Sequence, residues 1–250
     1  MDLLEIKNID LKYQTPEGET HAVEGLNMTV KEGEFVAVVG PSGCGKTTLL
    51  SIIAGLIKPS GGKVFISGKE VDDVSPRIGY MLQKDQLFEW RNVEANVMLG
   101  LEIKKIKTPQ NVAYAKLLIE KYGLKDFMRS FPRNLSGGMR QRAALIRTLA
   151  FKPDILLLDE PFSALDFQTR LSVCDDVYRI IKSENKTSVL VTHDVSEAVS
   201  MADRVYVLTK RPATVKSVFE IKIDKPTPLE KREDKDFSYW FNRIRREIPT

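Results

Sequence analysis

One stretch constrains this chain more than any other: Gly40-Pro41-Ser42-Gly43-Cys44-Gly45-Lys46-Thr47 satisfies the pattern G-x-x-x-x-G-K-[ST]. The run Phe35–Val39 before it is continuously apolar, as in a buried strand, and Thr47–Leu56 after it has helical patterning that stops at Lys58-Pro59-Ser60-Gly61-Gly62. A strand, a glycine-rich loop and a helix in that order turn backbone N–H groups inward around an anion, with the positive helix end behind them. Lys46 supplies a point charge for β- and γ-phosphates, and Thr47 a hydroxyl for Mg²⁺. The plainer alternative is a glycine-rich turn without ligand; the strand before and the helix after favour the phosphate loop.

Near the far end of the sequence, Ile155-Leu156-Leu157-Leu158 runs into Asp159-Glu160-Pro161. A buried parallel strand ending in two carboxylates puts them at the sheet edge where ligands of open α/β sheets bind. Asp159 suits Mg²⁺, and Glu160 suits the orientation or deprotonation of an attacking water. Read alone, the pair is also an acidic helix N-cap.

The rest of the chain supports an α/β fold. Strand-like Leu4–Lys12, Leu26–Lys31 and Glu34–Val39 come first, with Gln14–Thr20 as a hairpin loop that includes Pro16, and His21 on that loop's solvated surface. Short strand-like pieces follow at Lys63–Ser67 and Ile78–Gln83. From Lys84 the periodicity turns helical, with Val112, Ala115, Leu118 and Ile119 on one face of a helix over Gln110–Tyr122. After Pro153, strands at Ile155–Leu158, Ser188–Thr192 and Arg204–Thr209 alternate with helices at Gln168–Lys182 and Val195–Met201, which implies a parallel sheet. These switches place a nucleotide-binding core at 1–83 and 153–225, a helical subdomain at 84–152 and a helical extension at 226–250, helical from about Lys235 and packed down by Phe237, Tyr239, Trp240, Phe241 and Ile244.

Composition narrows the function. The chain has 250 residues, 42% hydrophobic and 29% charged, a globular balance that excludes a disordered or collagen-like protein. The net charge of +4 arises between Lys84 and Arg133, and no run of five or six like charges marks a nucleic-acid surface. Two isolated cysteines, Cys44 and Cys174, argue for a reducing compartment rather than a disulfide scaffold. The start MDLLEIKNID has no basic region ahead of an apolar run, so no signal peptide is expected, and no apolar run reaches about 18 residues. Membrane association is therefore expected only through a partner. Cys44, beside Lys46 at a helix N-terminus, is expected to have a lowered thiol pKa and to be alkylated unless MgATP protects it.

A second glycine-rich helix start, Leu135-Ser136-Gly137-Gly138-Met139-Arg140-Gln141-Arg142, precedes the helical run Ala143–Ala150. Ser136 caps that helix, and Gly137-Gly138 lets an anion approach its first N–H groups. No apolar strand precedes it, so it is not another phosphate loop. This stretch resembles the signature sequence of the ATP-binding-cassette (ABC) ATPases, and its distance from Ile155–Glu160 fits that family.

The resemblance spans nearly the whole chain and implies a P-loop NTPase fold of the ABC ATPase type: a RecA-like core, an antiparallel β subdomain and a helical insert. It implies ATP and Mg²⁺ as cofactors, hydrolysis of ATP to ADP and phosphate coupled to transmembrane transport, and ATP contacts along Gly40 to Thr48. Tyr13 resembles the aromatic that stacks on adenine, Gln83 the glutamine that touches Mg²⁺ and reports on the transmembrane partner, and His193 the histidine that contacts the γ-phosphate. Ser163-Ala164-Leu165-Asp166 is similar to the D-loop. Taken singly, Tyr13 reads as a strand packing residue, Gln83 as a polar loop residue and His193 equally as a cap or a chemical group. In the family two copies sandwich two ATP molecules, with Ser136, Gly137 and Gly138 of one copy facing phosphate held by the other.

Leu87-Phe88-Glu89-Trp90-Arg91-Asn92-Val93, with Asn96-Val97, Asp203-Arg204-Val205 and Arg211-Pro212, resembles the nitrate/sulfonate/taurine importer branch. Glu89, Asn92 and Ala213 depart from it where proline, threonine and glycine are usual. The branch implies transmembrane permease subunits, indirectly an extracytoplasmic solute-binding protein, and a place at the cytoplasmic face of the cell membrane. No regulatory domain is expected beyond position 250. Trp90 alone also reads as core, though less readily than as a contact for the transmembrane partner. An exporter ATPase is the near rival; an ABC ATPase acting on DNA or ribosomes would carry coiled-coil insertions, zinc-hook cysteines or tandem cassettes, and a P-loop kinase would not need LSGGMRQR.

Overall fold

Alternating apolar residues set the first layer. In the computed structural model, which describes residues 2–15 and 18–249, Leu4, Ile6, Ile9 and Leu11 of strand β1 (Asp2–Thr15) and Leu26, Met28 and Val30 of β2 (Gly18–Lys31) are all buried. The two strands pair antiparallel, and a register shift between Ile6 and Ile9 keeps both sets of side chains on one face. The strands run further into the expected hairpin loop than its polar residues suggested, so His21 sits in β2 rather than on a loop. Pro16 lies outside the described residues.

Strand β3 (Phe35–Val39) leads through the phosphate loop into helix α1 (Lys46–Ile53). The helix ends before Leu56 because Gly55 turns at φ 75, and a Cβ there would lie 2.2 Å from the Asp73 carbonyl oxygen. Strands β4 (Gly61–Ile66) and β5 (Lys69–Glu70) complete an antiparallel sheet in the order β2-β1-β4-β5.

Strand β6 (Ile78–Met81) begins the other sheet. Helices α2 (Val93–Ile103), α3 (Pro109–Lys121) and α4 (Gly137–Leu149) follow, before strand β7 (Ile155–Asp159). Asn92, Thr108 and Ser136 cap the three helices, each side chain accepting from a backbone N–H three residues on. Helix α5 (Phe167–Ser183), strand β8 (Thr187–Thr192), helix α6 (Val195–Met201), and strands β9 (Arg204–Leu208) and β10 (Val215–Glu220) alternate as the sequence indicates. The sheet order is β10-β9-β3-β8-β7-β6, antiparallel only at β10.

The parallel strands of this sheet are buried on both faces, which is why they read as largely apolar runs, whereas edge strand β10 alternates. Ala37, Val39, Leu156 and Leu158 face the core beneath α2–α5, whereas Val36, Val38, Ile155 and Leu157 face the core shared with α1 and the antiparallel sheet. The extension forms two helices, α7 (Pro228–Glu233) and α8 (Phe237–Glu247), rather than one. Thr227 and Pro228 start α7 earlier than expected, and the run Asp234–Asp236 breaks it from α8. Ile244 is fully buried and Phe237, Trp240 and Phe241 pack against the main core, but Tyr239 faces solvent.

Candidate functional site

The loop after β3 wraps tightly because Gly43 and Gly45 adopt positive φ, 71 and 120, which side chains with a Cβ resist. Lys46 is only 6% exposed, and its Nζ donates to the Gly40 and Pro41 carbonyl oxygens at 2.9 and 2.8 Å. Those carbonyls are turned towards the ammonium. Thr47 Oγ1 donates to Asp159 Oδ1 at 3.1 Å, which joins α1 to the end of β7. Tyr80 of β6 donates to Asp159 Oδ2 at 3.3 Å. Burial pushes the Asp159 carboxyl up from its ordinary range, opposed by these two hydrogen bonds. Burial, reinforced by the Asp159 charge, also pushes the Tyr80 hydroxyl well up, so it stays a donor.

Glu160 follows at φ 43, with its amide donating to Val191 O at 2.9 Å. This left-handed turn, uncommon for a non-glycine residue, directs the carboxylate away from the strand. Its Oε2 lies 3.0 Å from Nδ1 of His193, which follows β8, and 3.5 Å from Nε2 of Gln83, which follows β6. Ser163 Oγ donates to Glu160 O at 3.0 Å and lies 3.4 Å from Gln83 Nε2. Three parallel strands therefore deliver Gln83, Asp159, Glu160 and His193 to one end of the sheet.

A cavity of about 310 Å³ lies over the phosphate loop, bounded by Ser42, Gly43, Gly45, Lys46, Thr47, Thr48, Gln83, Asp159, Glu160 and Arg211. Tyr13, 38% exposed on β1, reaches its edge through a 3.4 Å contact between its hydroxyl and Thr48 Oγ1. Gly40, Pro41 and Cys44 do not line this cavity; Pro41 and Cys44 border a neighbouring one with Lys210 and Arg211. A glycine-rich loop at a helix N-terminus, one lysine, hydroxyl and carboxylate oxygens and a further carboxylate can hold a polyphosphate and present a water to it.

The sequence-based expectation for Cys44 is overturned. Its side chain is 2% exposed, and burial pushes the thiol up despite Lys46 Nζ at 4.0 Å. Desolvation outweighs the nearby charge, so the thiolate that reacts is disfavoured.

Ser136, Gly137, Gly138 and Asp166 stand apart and line no part of that cavity. Ser136 Oγ accepts from Met139 N at 3.3 Å, and both Ser136 and Gly137 are exposed. The glycines also serve packing, because a Cβ on Gly137 would lie 2.9 Å from Leu165 Cδ2 and one on Gly138 2.8 Å from Val173 Cγ2. Asp166 caps α5 by accepting from Thr169 N at 3.0 Å, and the Thr169 side chain together with this amide holds its carboxyl below the usual range.

Sequence reasoning missed four contributors. Tyr80 shares Asp159, and only its place as the one hydroxyl in a short apolar strand hints at that. Arg211 reaches the phosphate loop from the β9–β10 connection. Within α4, Arg140 grips Asp85 at 2.8 Å and Glu89 at 2.8 Å, and Arg147 donates to the Gln86 and Asp85 carbonyls at 2.6 and 2.7 Å. The segment after Gln83 is thus tied to the helix that begins at Gly137, and Glu89 makes an ion pair where proline is usual.

A family profile described as "ABC transporter" matches residues 23–163. An uncharacterized ABC transporter ATP-binding protein, YtlC, of Bacillus subtilis (strain 168) is 46% identical over 99% of this chain and 96% of its own length. The taurine import ATP-binding protein TauB of Pelagibacter ubique (strain HTCC1062) is 40% identical over 86% of this chain and 82% of its own. Among solved structures, the ATP-binding cassette MJ0796, a dimer in a post-hydrolysis state with ADP and Pi, is 31% identical and superposes with a TM-score of 0.73 over 88% of this chain and 99% of that one. Family match, full-length relatives and shared fold agree with the phosphate loop and paired carboxylates: this chain belongs to the ABC transporter family, as an ATP-binding subunit that hydrolyses ATP.

Proposed function

We propose that this subunit powers import of a small organic solute of the taurine or sulfonate class through a separate membrane permease. The reading rests on relatives named taurine import ATP-binding proteins and on one surface. Trp90 is 74% exposed and stacks on Phe88 at 4.7 Å between ring centroids, with exposed Phe131 as further apolar surface in the helical region and exposed Leu82 just before it, after β6. A large indole held in water by a neighbouring ring is an interaction surface, not core. Leu87, by contrast, is buried and serves packing. Asn96, fully buried, accepts from Phe88 N at 2.7 Å and donates to the Phe88 and Arg91 carbonyls at 3.1 and 2.9 Å, so this aromatic pair has a fixed backbone. Arg140 and Arg147 tie the same segment to α4 and Gln83 to the catalytic carboxylate, which gives a permease contact a path to hydrolysis.

In this reading residues 1–83 and 153–225 are the nucleotide-binding core, 84–152 the helical subdomain facing the permease and 226–250 an extension. Lys46 and the loop amides hold the phosphates, Tyr13 takes the adenine, and Glu160 with His193 handles the water and the γ-phosphate. Thr47, Asp159 and Gln83 supply hard oxygen donors, few in number, as suits a Mg²⁺ ion that keeps waters and phosphate oxygens as its other ligands. Ser136, Gly137, Gly138 and Asp166 serve the ATP of a second copy. Among the described residues no helix is long and apolar enough to cross a membrane, and the chain reaches the cytoplasmic face through its permease.

The test is co-purification with the permease encoded beside this chain, followed by ATPase assays in liposomes. Taurine or an alkanesulfonate with its solute-binding protein is expected to stimulate turnover. Trp90→Glu is expected to keep the basal ATPase rate of the isolated subunit and to lose permease association; unchanged association would refute the surface, and stimulation by an unrelated solute the substrate class.

A further inference from the structure

The β9–β10 connection sets a cation against the phosphate loop from outside that loop's own sequence. Arg211 Nη2 donates to Gly43 O at 2.9 Å, and the guanidinium bounds the same cavity as Lys46, Thr47 and Asp159. Among the described residues this is its only hydrogen bond, and no carboxylate lies within ion-pairing distance. A guanidinium has five N–H donors in a planar fork, so one bond to a carbonyl leaves most of them free. An exposed arginine at the rim of a cavity suited to an anion, with no acid partner among the described residues, has a charge available to a ligand.

Its position is built rather than incidental. Ala213, fully buried, donates to Ala22 O at 2.9 Å, and Glu24 N donates to Ala213 O at 3.0 Å, so the connection is clamped to β2. Thr209 Oγ1 closes the loop internally, donating to Pro212 O and accepting from Thr214 N, both at 3.0 Å. Gly45 brings the phosphate loop close to the same elements, since a Cβ there would lie 3.0 Å from Ala22 O and 3.5 Å from Ala213 Cβ. Lys46 engages the Gly40 and Pro41 carbonyls from within, and Arg211 the Gly43 carbonyl from the rim.

We propose that Arg211 is a nucleotide-binding residue of this subunit, bracing the rim of the phosphate loop through Gly43 and supplying a second cation, beside Lys46, to the polyphosphate chain. This rests on the reading that nucleotide occupies the cavity over that loop. Arginine meets phosphate oxygens with charge-assisted hydrogen bonds and thereby adds affinity that depends on phosphate charge and on salt.

The test measures ATP affinity of the full-length chain by calorimetry at low and high salt, with nucleotide-free melting temperature alongside. Arg211→Gln is expected to weaken ATP about tenfold and flatten the salt dependence, with melting unchanged. Arg211→Lys keeps the charge and is expected to restore most of the affinity and the salt slope. If Arg211→Gln binds ATP normally while Lys46→Ala does not, this proposal falls and the site stands. If Lys46→Ala also binds normally, the site reading itself falls. Weakened binding with an unchanged salt slope and no rescue by lysine would make Arg211 a brace of the loop alone and overturn the second cation.

Discussion

Nδ1 of His193 lies 3.0 Å from Oε2 of Glu160, so the ends of β8 and β7 meet through a histidine and a carboxylate; Glu160 borders the phosphate loop's cavity, whereas His193 lies outside its lining and borders the cleft beside α8. The left-handed backbone at Glu160, anchored through Val191 O, aims that carboxylate, and His193 holds it. If Glu160 activates the lytic water, Glu160→Gln keeps the shape and removes the base. Phosphate release is expected to fall by roughly 10²–10⁴, with ATP binding retained through Lys46 and the loop amides. A variant hydrolysing within about tenfold of wild type would place the base elsewhere.

The parts of this site that were legible in sequence are those whose chemistry is local. The phosphate loop is contiguous, and Asp159-Glu160 ends an apolar run whose strand could be read without its neighbours. Tyr80 was hidden because its partner Asp159 is set by the β6–β7 pairing, a long-range fact. Cys44 misled because helix-end position and a nearby lysine favour a thiolate, whereas the 2% exposure that reverses the balance depends on how Leu208 and Gly40 close around it. The ion pairs from Arg140 to Asp85 and Glu89 were equally invisible, since they depend on how α4 packs across the helical region.

Because burial disfavours ionisation at both Cys44 and Cys174, the folded chain is expected to be slow to react with thiol reagents. Colorimetric titration is expected to count close to none of the two thiols in native protein and both in denaturant. Rapid labelling of Cys44 in the native chain, blocked by MgATP, would restore the reactive-thiol reading.

Glu197 gives stability a pH dependence. Its carboxyl, 3% exposed and accepting from Thr192 Oγ1 at 2.6 Å, is pushed up by burial to about 7 from an ordinary 4.5. The folded chain therefore keeps a proton that the unfolded chain releases near 4.5, and stability falls as pH rises from there to about 7, then levels off. The loss is on the order of 3 kcal/mol. Glu197→Gln is expected to flatten this slope, so that its melting temperature relative to wild type rises between pH 5 and pH 8 in thermal scans (roughly the span of that titration). An unchanged difference across that range would mean that Glu197 is not the group responsible.

The last expectation concerns Ser136 and a second copy of the chain. Ser136 and Gly137 are exposed at the start of α4 and line no cavity with Lys46 of their own chain, and similar solved cassettes are dimers. If these residues cap phosphate held by a second copy, ATP that cannot be hydrolysed becomes part of the interface. The Glu160→Gln chain is then expected to be a dimer by light scattering in MgATP and a 28.3 kDa monomer in ADP. Adding Ser136→Arg places bulk and charge in the interface, but it also removes the cap on Met139 N, worth about 1 kcal/mol to α4. Ser136→Asp separates the two effects. Aspartate caps as well as serine, so α4 stays formed, yet its charge faces phosphate across the interface. Both variants are expected to remain monomeric in MgATP while binding nucleotide normally. An Asp variant that still dimerises would show that Ser136 does not face the partner's phosphate.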